Sequence, residues 1–149
     1  MPSDAAGAAR LRVYLLMETS QTGDHEAARD ELTALAERAK RQGWPEVSFL
    51  ATAGLAQYAL LHSPDRTALG STLEDLVLRA ESLGRPALLG LALALRAVGA
   101  AVREDGGALL ADAARAVALV EDDDLPALDR CTTLVICAAA YNTLSLWEL

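Results

Sequence analysis

Aromatic side chains are scarce in this sequence: one phenylalanine, two tryptophans and three tyrosines make up 4% of its 149 residues. The apolar share is nonetheless 52%, and most of it is alanine and leucine, which are strong helix formers. No segment as long as a helix alternates polar and apolar residues with period two, the pattern of a half-buried strand. The composition therefore predicts an all-helical chain, long enough for one domain with a substantial core.

Basic residues are also few. Lys40 is the only lysine beside twelve arginines, and the formal net charge is −8. No cluster of cations offsets this charge, so we expect neither nucleic acid nor an anionic membrane as a partner. The N-terminal segment MPSDAAGAAR has no apolar run typical of a secretory signal, and the longest uncharged stretch, residues 131–147, is too polar for a membrane span. A cytoplasmic protein is predicted.

The usual marks of chemistry are missing. Cys131 and Cys137 are the only cysteines, and their i, i+6 spacing puts them on different faces of a helix, so both are expected to be buried free thiols. Neither His25 nor His62 lies in a metal motif, and no phosphate-binding glycine loop or nucleophile elbow occurs. Residues 121–124 are acidic but lack the ligand spacing of an EF-hand. The sequence thus predicts no catalytic residue, cofactor or metal, and no enzyme.

Glycine and proline divide the chain at regular intervals. Glycine is typical just past a helix end and proline in the first turn of a helix. On this basis seven helices are predicted, over residues 4–22, 25–42, 45–62, 67–83, 86–104, 108–120 and 126–144.

The prolines also indicate a repeat. Pro45, Pro86 and Pro126 follow one another at intervals of 41 and 40 residues, and each interval holds two predicted helices. A fixed period of this length made of helix pairs is typical of an α-solenoid, in which each pair buries its apolar face against its neighbours.

Within this period, bulky and small residues recur at matching positions. Small residues at Gly99, Ala111 and Ala118 would let helices approach closely, while bulky ones fill the gaps. The matching positions are Leu95, Val98, Gly99, Val102, Gly106, Ala111 and Ala118 in one period and Leu134, Cys137, Ala138, Tyr141, Ser145 and Trp147 in the next. This spacing resembles the tetratricopeptide repeat, although the period is longer than the about 34 residues of that family.

The resemblance implies about seven antiparallel helices stacked as hairpins, forming a single tetratricopeptide-like domain over residues 1–149. In that register Ser145 is a turn and Trp147 opens a further helix, so the chain is expected to be truncated within its last repeat. The segment AYNTLSLWEL, residues 140–149, together with the preference for alanine and for arginine over lysine, looks like the repeats ahead of GGDEF domains in actinobacterial diguanylate cyclases. The GGDEF motif itself is absent, so no catalytic residue is carried over.

This second resemblance implies a non-catalytic regulatory or sensor module that binds a protein or peptide, within a larger bacterial signalling protein that makes cyclic di-GMP. The alternatives are a homodimerisation scaffold and the repeat domain of a bacterial transcription regulator. In a tetratricopeptide stack, function lies on the concave face. Carried over by position, the residues expected to bind a partner there are Met17, Gln57, Arg96, Arg103 and Asn142.

Arg96 interrupts the otherwise uncharged run over residues 86–102. A guanidinium group in such a stripe needs carboxylate or carbonyl partners. Two interpretations stay open: an ion pair with an acidic residue of a neighbouring helix, or an anchor for the carboxylate or backbone of a partner.

Overall fold

The computed structural model describes residues 2–66, 68–121 and 124–147, and these form seven α-helices and no strand. The helices are α1 (Pro2–Thr22), α2 (His25–Gln42), α3 (Pro45–His62), α4 (Leu69–Leu83), α5 (Pro86–Val102), α6 (Gly106–Val120) and α7 (Ala127–Trp147). The all-helical prediction is confirmed, and α2 and α3 have the predicted bounds. The stacking as a solenoid with a period of about 40 residues stays a prediction.

The predicted turn at Ser145 is wrong, and α6 begins two residues earlier than predicted. α7 continues through Ser145, whose hydroxyl donates a hydrogen bond of 3.0 Å to the carbonyl oxygen of Tyr141 and is thereby satisfied inside the helix. α6 begins already at Gly106, because the Oδ1 atom of Asp105 accepts a hydrogen bond of 3.0 Å from the amide of Ala108 and caps the helix. The predicted truncation relied on the turn at Ser145 and stays a prediction.

Helix ends depend on backbone conformations that the sequence supplies. Pro45 and Pro86 occupy the first turns of α3 and α5, where a missing amide costs nothing. Gly43 and Gly84 end α2 and α4 with φ of 67° and 64°, the left-handed region open to glycine. Glu104, after α5, has φ of 60° although it carries a side chain.

The first three helices form one compact unit, residues Met1–Arg66, in which each helix contacts the other two. The close approach of α3 depends on Gly54, since a Cβ atom there would lie 3.0 Å from Leu32 of α2 and 3.2 Å from Met17 of α1. Phe49, Leu50 and Ala51 fill the remaining space and are fully buried. The core of this unit is therefore an aliphatic packing of three helices around one phenylalanine.

The second compact unit, residues Thr67–Leu149, is arranged around α5. This helix contacts α4, α6 and α7, and α6 also contacts α7. Apart from Arg96, α5 carries no charged residue, as expected for a helix buried on most sides. A Cβ atom at Gly90 would lie 3.0 Å from Val120 of α6 and 3.6 Å from Thr133 of α7.

The small residues that pack α6 differ from those predicted. Ala113 and Ala116 are fully buried, whereas Ala111 and Ala118 are exposed. The predicted register assigned the inward positions from the spacing of another family. In this helix the inward row also contains Leu109 and Val120, at helical spacing from the buried alanines.

Candidate functional site

Arg96 lies between two carboxylates that come from the helices on either side of α5. Its Nε and Nη2 atoms donate hydrogen bonds of 2.7 and 2.8 Å to the two carboxylate oxygens of Asp112 on α6. Its Nη1 atom donates one of 2.9 Å to Glu74 on α4. These carboxylates raise the pKa of Arg96 above its usual value, chiefly through the hydrogen bonds to Asp112.

The exposures of the three side chains are unequal. Arg96 is 23% exposed and Asp112 13%, whereas Glu74 is 62% exposed. The two-bond pair with Asp112 is therefore the strong part of the arrangement, because it is shielded from water and has fork geometry. Of the two interpretations of Arg96, the structure shows the ion pair with neighbouring helices.

The other predicted partner-binding residues fall into two groups. Arg103, just past the end of α5, and Asn142 on α7 are exposed. Met17 and Gln57 are buried and offer almost no surface, and Gln57 Oε1 accepts no hydrogen bond from the described residues. The sequence placed all five on one concave face, whereas in the structure two are exposed, Arg96 is half-buried and two are buried.

One side of α7 forms an exposed surface without charge, which we call the uncharged face. Its bulky members include Leu128, Leu134 and Tyr141, and Val135 is the most open at 60% exposed. The whole set consists of Leu128, Cys131, Leu134, Val135, Ala138, Ala139, Tyr141, Asn142 and Ser145, all exposed. At 100° per residue these positions span about 160° of the helix circumference, so they form one continuous surface.

Cys131 belongs to this uncharged face, so the expectation that both thiols are buried is wrong for it. Cys137 is buried as expected, and burial raises the pKa of its thiol. The i, i+6 spacing correctly separated the two faces of the helix. It could not show which face is exposed to solvent, because both faces mix apolar and polar residues.

Sequence reasoning missed a ring cluster at the helix ends of the first unit. His25 in the first turn of α2 stacks on His62 in the last turn of α3, with ring centroids 4.3 Å apart and an interplanar angle of 13°. The Nε2 atom of His62 lies 2.8 Å from the carbonyl oxygen of Ser20 near the end of α1. The cluster therefore joins three helix ends, and its only sequence signal is one histidine at each of two helix termini.

The same unit has a cavity of about 330 Å³ between α1 and the turn before α3. Arg10, Trp44 and Glu46 line it, together with backbone near Gly7. Arg38 lies over the indole of Trp44, 5.3 Å from the ring centroid. Arg10 and Glu46 each already have interaction partners.

Among the described residues, no three His, Cys, Asp or Glu side chains come together in a way that could hold a metal ion. None of the described helices combines the length and apolar character needed to cross a membrane.

No protein-family model, curated protein or solved structure matches this chain. The resemblances to tetratricopeptide repeats and to the segments ahead of GGDEF domains therefore stay predictions.

Proposed function

We propose that this chain is a non-catalytic protein-interaction module, tetratricopeptide-like in organisation, that serves as the regulatory part of a larger cytoplasmic signalling protein of bacteria. The observation that supports this proposal is the uncharged face of α7. Exposed apolar surface of this extent is costly in water, and on soluble proteins it commonly marks an interaction site.

Two predicted residues fit this role. The amide of Asn142, at one end of the uncharged face, can donate to and accept from a partner's backbone. Arg103 is exposed beyond α5 and can pair with a carboxylate of a partner. Arg96 is assigned to stability instead, since both of its carboxylate partners belong to this chain. For the parent protein we propose a GGDEF diguanylate cyclase, and a GGDEF motif in the same open reading frame is the direct test.

The interaction role is tested by affinity purification from an extract of the source bacterium, with the tagged chain as bait. Three baits are compared: wild type, Val135→Glu on the uncharged face, and Leu78→Glu on α4. Val135 is 60% exposed and Leu78 is 61% exposed, so both variants add one charge at equally open positions. We expect the wild-type and Leu78→Glu baits to retain at least one protein, either the parent or another chain. The Val135→Glu bait should not retain it. Identical sets of proteins on all three baits would contradict the proposal.

A further inference from the structure

We propose that the uncharged face of α7 binds a second copy of this chain, in an antiparallel pairing of the two α7 helices about a two-fold axis near residues 136 and 137. This inference rests on the proposed function, since it names the partner of the surface that carries that proposal. It is motivated by the order of large and small side chains along the face.

Bulky aliphatic residues and alanines occupy opposite halves of the uncharged face, and Tyr141 follows the alanines. Leu128, Leu134 and Val135 lie in the first half, and Ala138 and Ala139 lie in the second. In an antiparallel pair related by a two-fold axis, each residue meets a residue on the other side of the centre. The alanines of one copy therefore lie at the level of bulky aliphatic residues of the other.

The register can be assigned residue by residue. With the axis between residues 136 and 137, Val135 lies opposite Ala138 of the second copy and Cys131 lies opposite its Asn142. The members of these pairs are about 60° and about 20° apart around the helix, so they meet near the middle of the face. In the aliphatic pair the larger Val135 meets the smaller Ala138, which allows the helices to approach closely near the axis.

Charge favours this face over the rest of the surface. The chain carries a net charge of −8, so most contacts between two copies bring like charges together. From residue 131 to residue 147 the sequence has no charged residue. Over these residues α7 itself presents no ion to desolvate and no like charge to a second copy.

The size of the face sets the expected affinity. A helix face of 18 residues is about 27 Å long, and about 160° of a cylinder about 12 Å across gives it an area of about 450 Å² per copy. Two copies reach about 900 Å² in total, slightly below the about 1,000 Å² that stable interfaces exceed. The dimer is therefore expected to be weak.

The first test measures the mass of the purified chain by light scattering and sedimentation between about 1 and 300 µM. We expect a monomer–dimer equilibrium for wild type and Leu78→Glu, and dissociation constants at least ten-fold higher for Val135→Glu. Far-UV circular dichroism and thermal unfolding establish that each variant is folded. A wild-type chain that stays monomeric throughout overturns the inference, and so does a dimer that Val135→Glu leaves intact.

The second test addresses the register. Ala138→Lys alone is expected to weaken the dimer, whereas the double variant Val135→Glu with Ala138→Lys restores it, because each new carboxylate meets the other copy's new ammonium group. The control is Val135→Glu with Cys131→Lys, which allows an i, i+4 ion pair within one helix but places the new charges apart across the dimer. Restoration by this control, or by neither double variant, overturns the antiparallel register.

The two proposals fail in different experiments. The dimer is measured with the purified chain alone, and the interaction role is measured in a cell extract. If the purified chain is monomeric but still captures another protein through Val135, the dimer proposal is wrong. The proposed interaction role is then still supported.

Discussion

Individual arginine side chains in this protein link neighbouring helices through ion pairs. The guanidinium group of Arg96 holds α6 through two short hydrogen bonds to Asp112 and holds α4 through one to Glu74. In the first unit, Arg12 of α1 binds both carboxylate oxygens of Glu31 on α2, at 2.6 and 2.7 Å. Both are ion pairs between an arginine and a carboxylate, but the pair of Arg96 with Asp112 is more buried than the pair of Arg12 with Glu31. Removing the two arginines should therefore change stability in different ways.

Replacing Arg96 by alanine leaves the shielded carboxylate of Asp112 without its partner. We expect Arg96→Ala to lower the free energy of unfolding by about 2 kcal/mol, because an uncompensated, mostly buried charge is costly. Glu74→Ala should change the same quantity by less than about 0.5 kcal/mol, since Glu74 is mostly solvated. Urea denaturation of wild type and both variants measures the difference. Equal losses for the two variants would contradict the ranking by burial.

The pair between Arg12 and Glu31 makes part of the stability dependent on pH. The hydrogen bonds from Arg12 lower the pKa of Glu31 below its usual value. A lowered carboxyl pKa adds stability that is present above the unfolded-state pKa of about 4.3 and is lost as the pH falls through the folded-state value. We therefore expect Arg12→Gln to destabilise the protein at pH 7 and to have a much smaller effect near pH 3, by urea denaturation at each pH.

The matched control for that experiment is Arg41→Gln. Arg41 lies in the last turn of α2, and among the described residues it forms no ion pair. Arg41→Gln removes the same positive charge as Arg12→Gln but breaks no ion pair with a carboxylate. Its effect on the free energy of unfolding should therefore not depend on the titration of a glutamate. A loss at pH 3 as large as at pH 7 for Arg12→Gln would show that the pair contributes nothing through Glu31.

At the scale of helices, the backbone conformation at the ends is the sensitive feature. Gly43 and Glu104 both have φ near 60–67°, where glycine is favoured over every other residue. We expect opposite signs from Gly43→Ala, which should lower the free energy of unfolding by about 1 kcal/mol, and Glu104→Gly, which should raise it by up to about 1 kcal/mol. Thermal or urea unfolding measures both.

Gly7→Ala is the control for this pair. Gly7 lies inside α1 with ordinary helical φ and no atom within 4 Å of an added Cβ. Alanine there should stabilise the helix, by roughly 0.5 kcal/mol, through its higher helix propensity. If Gly7→Ala and Gly43→Ala changed stability in the same direction, the left-handed conformation at Gly43 would not be the cause.

The positions of the helices along the chain could be predicted from the sequence, whereas the side of each helix that faces the core could not. Glycine and proline mark boundaries through local backbone preferences, so α2 and α3 were predicted with their observed bounds. Which alanine of α6 points inward depends on neighbouring helices, and in a helix so rich in small residues the pattern alone does not decide it. The carboxylate partners of Arg96 were likewise beyond the sequence, because Glu74 and Asp112 are 22 and 16 residues away along the chain.

At the scale of the whole molecule, the net charge opposes association while the uncharged face of α7 favours it. Each copy carries a formal charge of −8, and this repulsion is screened by salt, with a Debye length of about 30 Å at 0.01 M and about 3 Å at 1 M. An interface without ion pairs has no attraction for salt to weaken. The balance between repulsion and burial of apolar surface should therefore move toward the dimer as salt is added.

We accordingly expect the dissociation constant of the dimer to fall several-fold between about 0.05 and 0.5 M sodium chloride at pH 7. Sedimentation equilibrium at fixed protein concentration measures the change. The Leu78→Glu variant adds one negative charge away from the face and should show a slightly steeper dependence. A dimer that salt dissociates would point to an interface held by ion pairs, which the uncharged face does not contain.

Because trypsin cleaves after Arg130 and residues 131–149 contain no lysine or arginine, both cysteines of α7 stay on one peptide that begins at Cys131. That peptide carries both thiols, the exposed Cys131 and the buried Cys137. After brief alkylation of the folded protein, one added label indicates that only the exposed Cys131 has reacted. Two labels indicate that Cys137, on the core side of α7, has also become accessible. A single mass spectrum therefore follows the surface and the packing of the same helix at once.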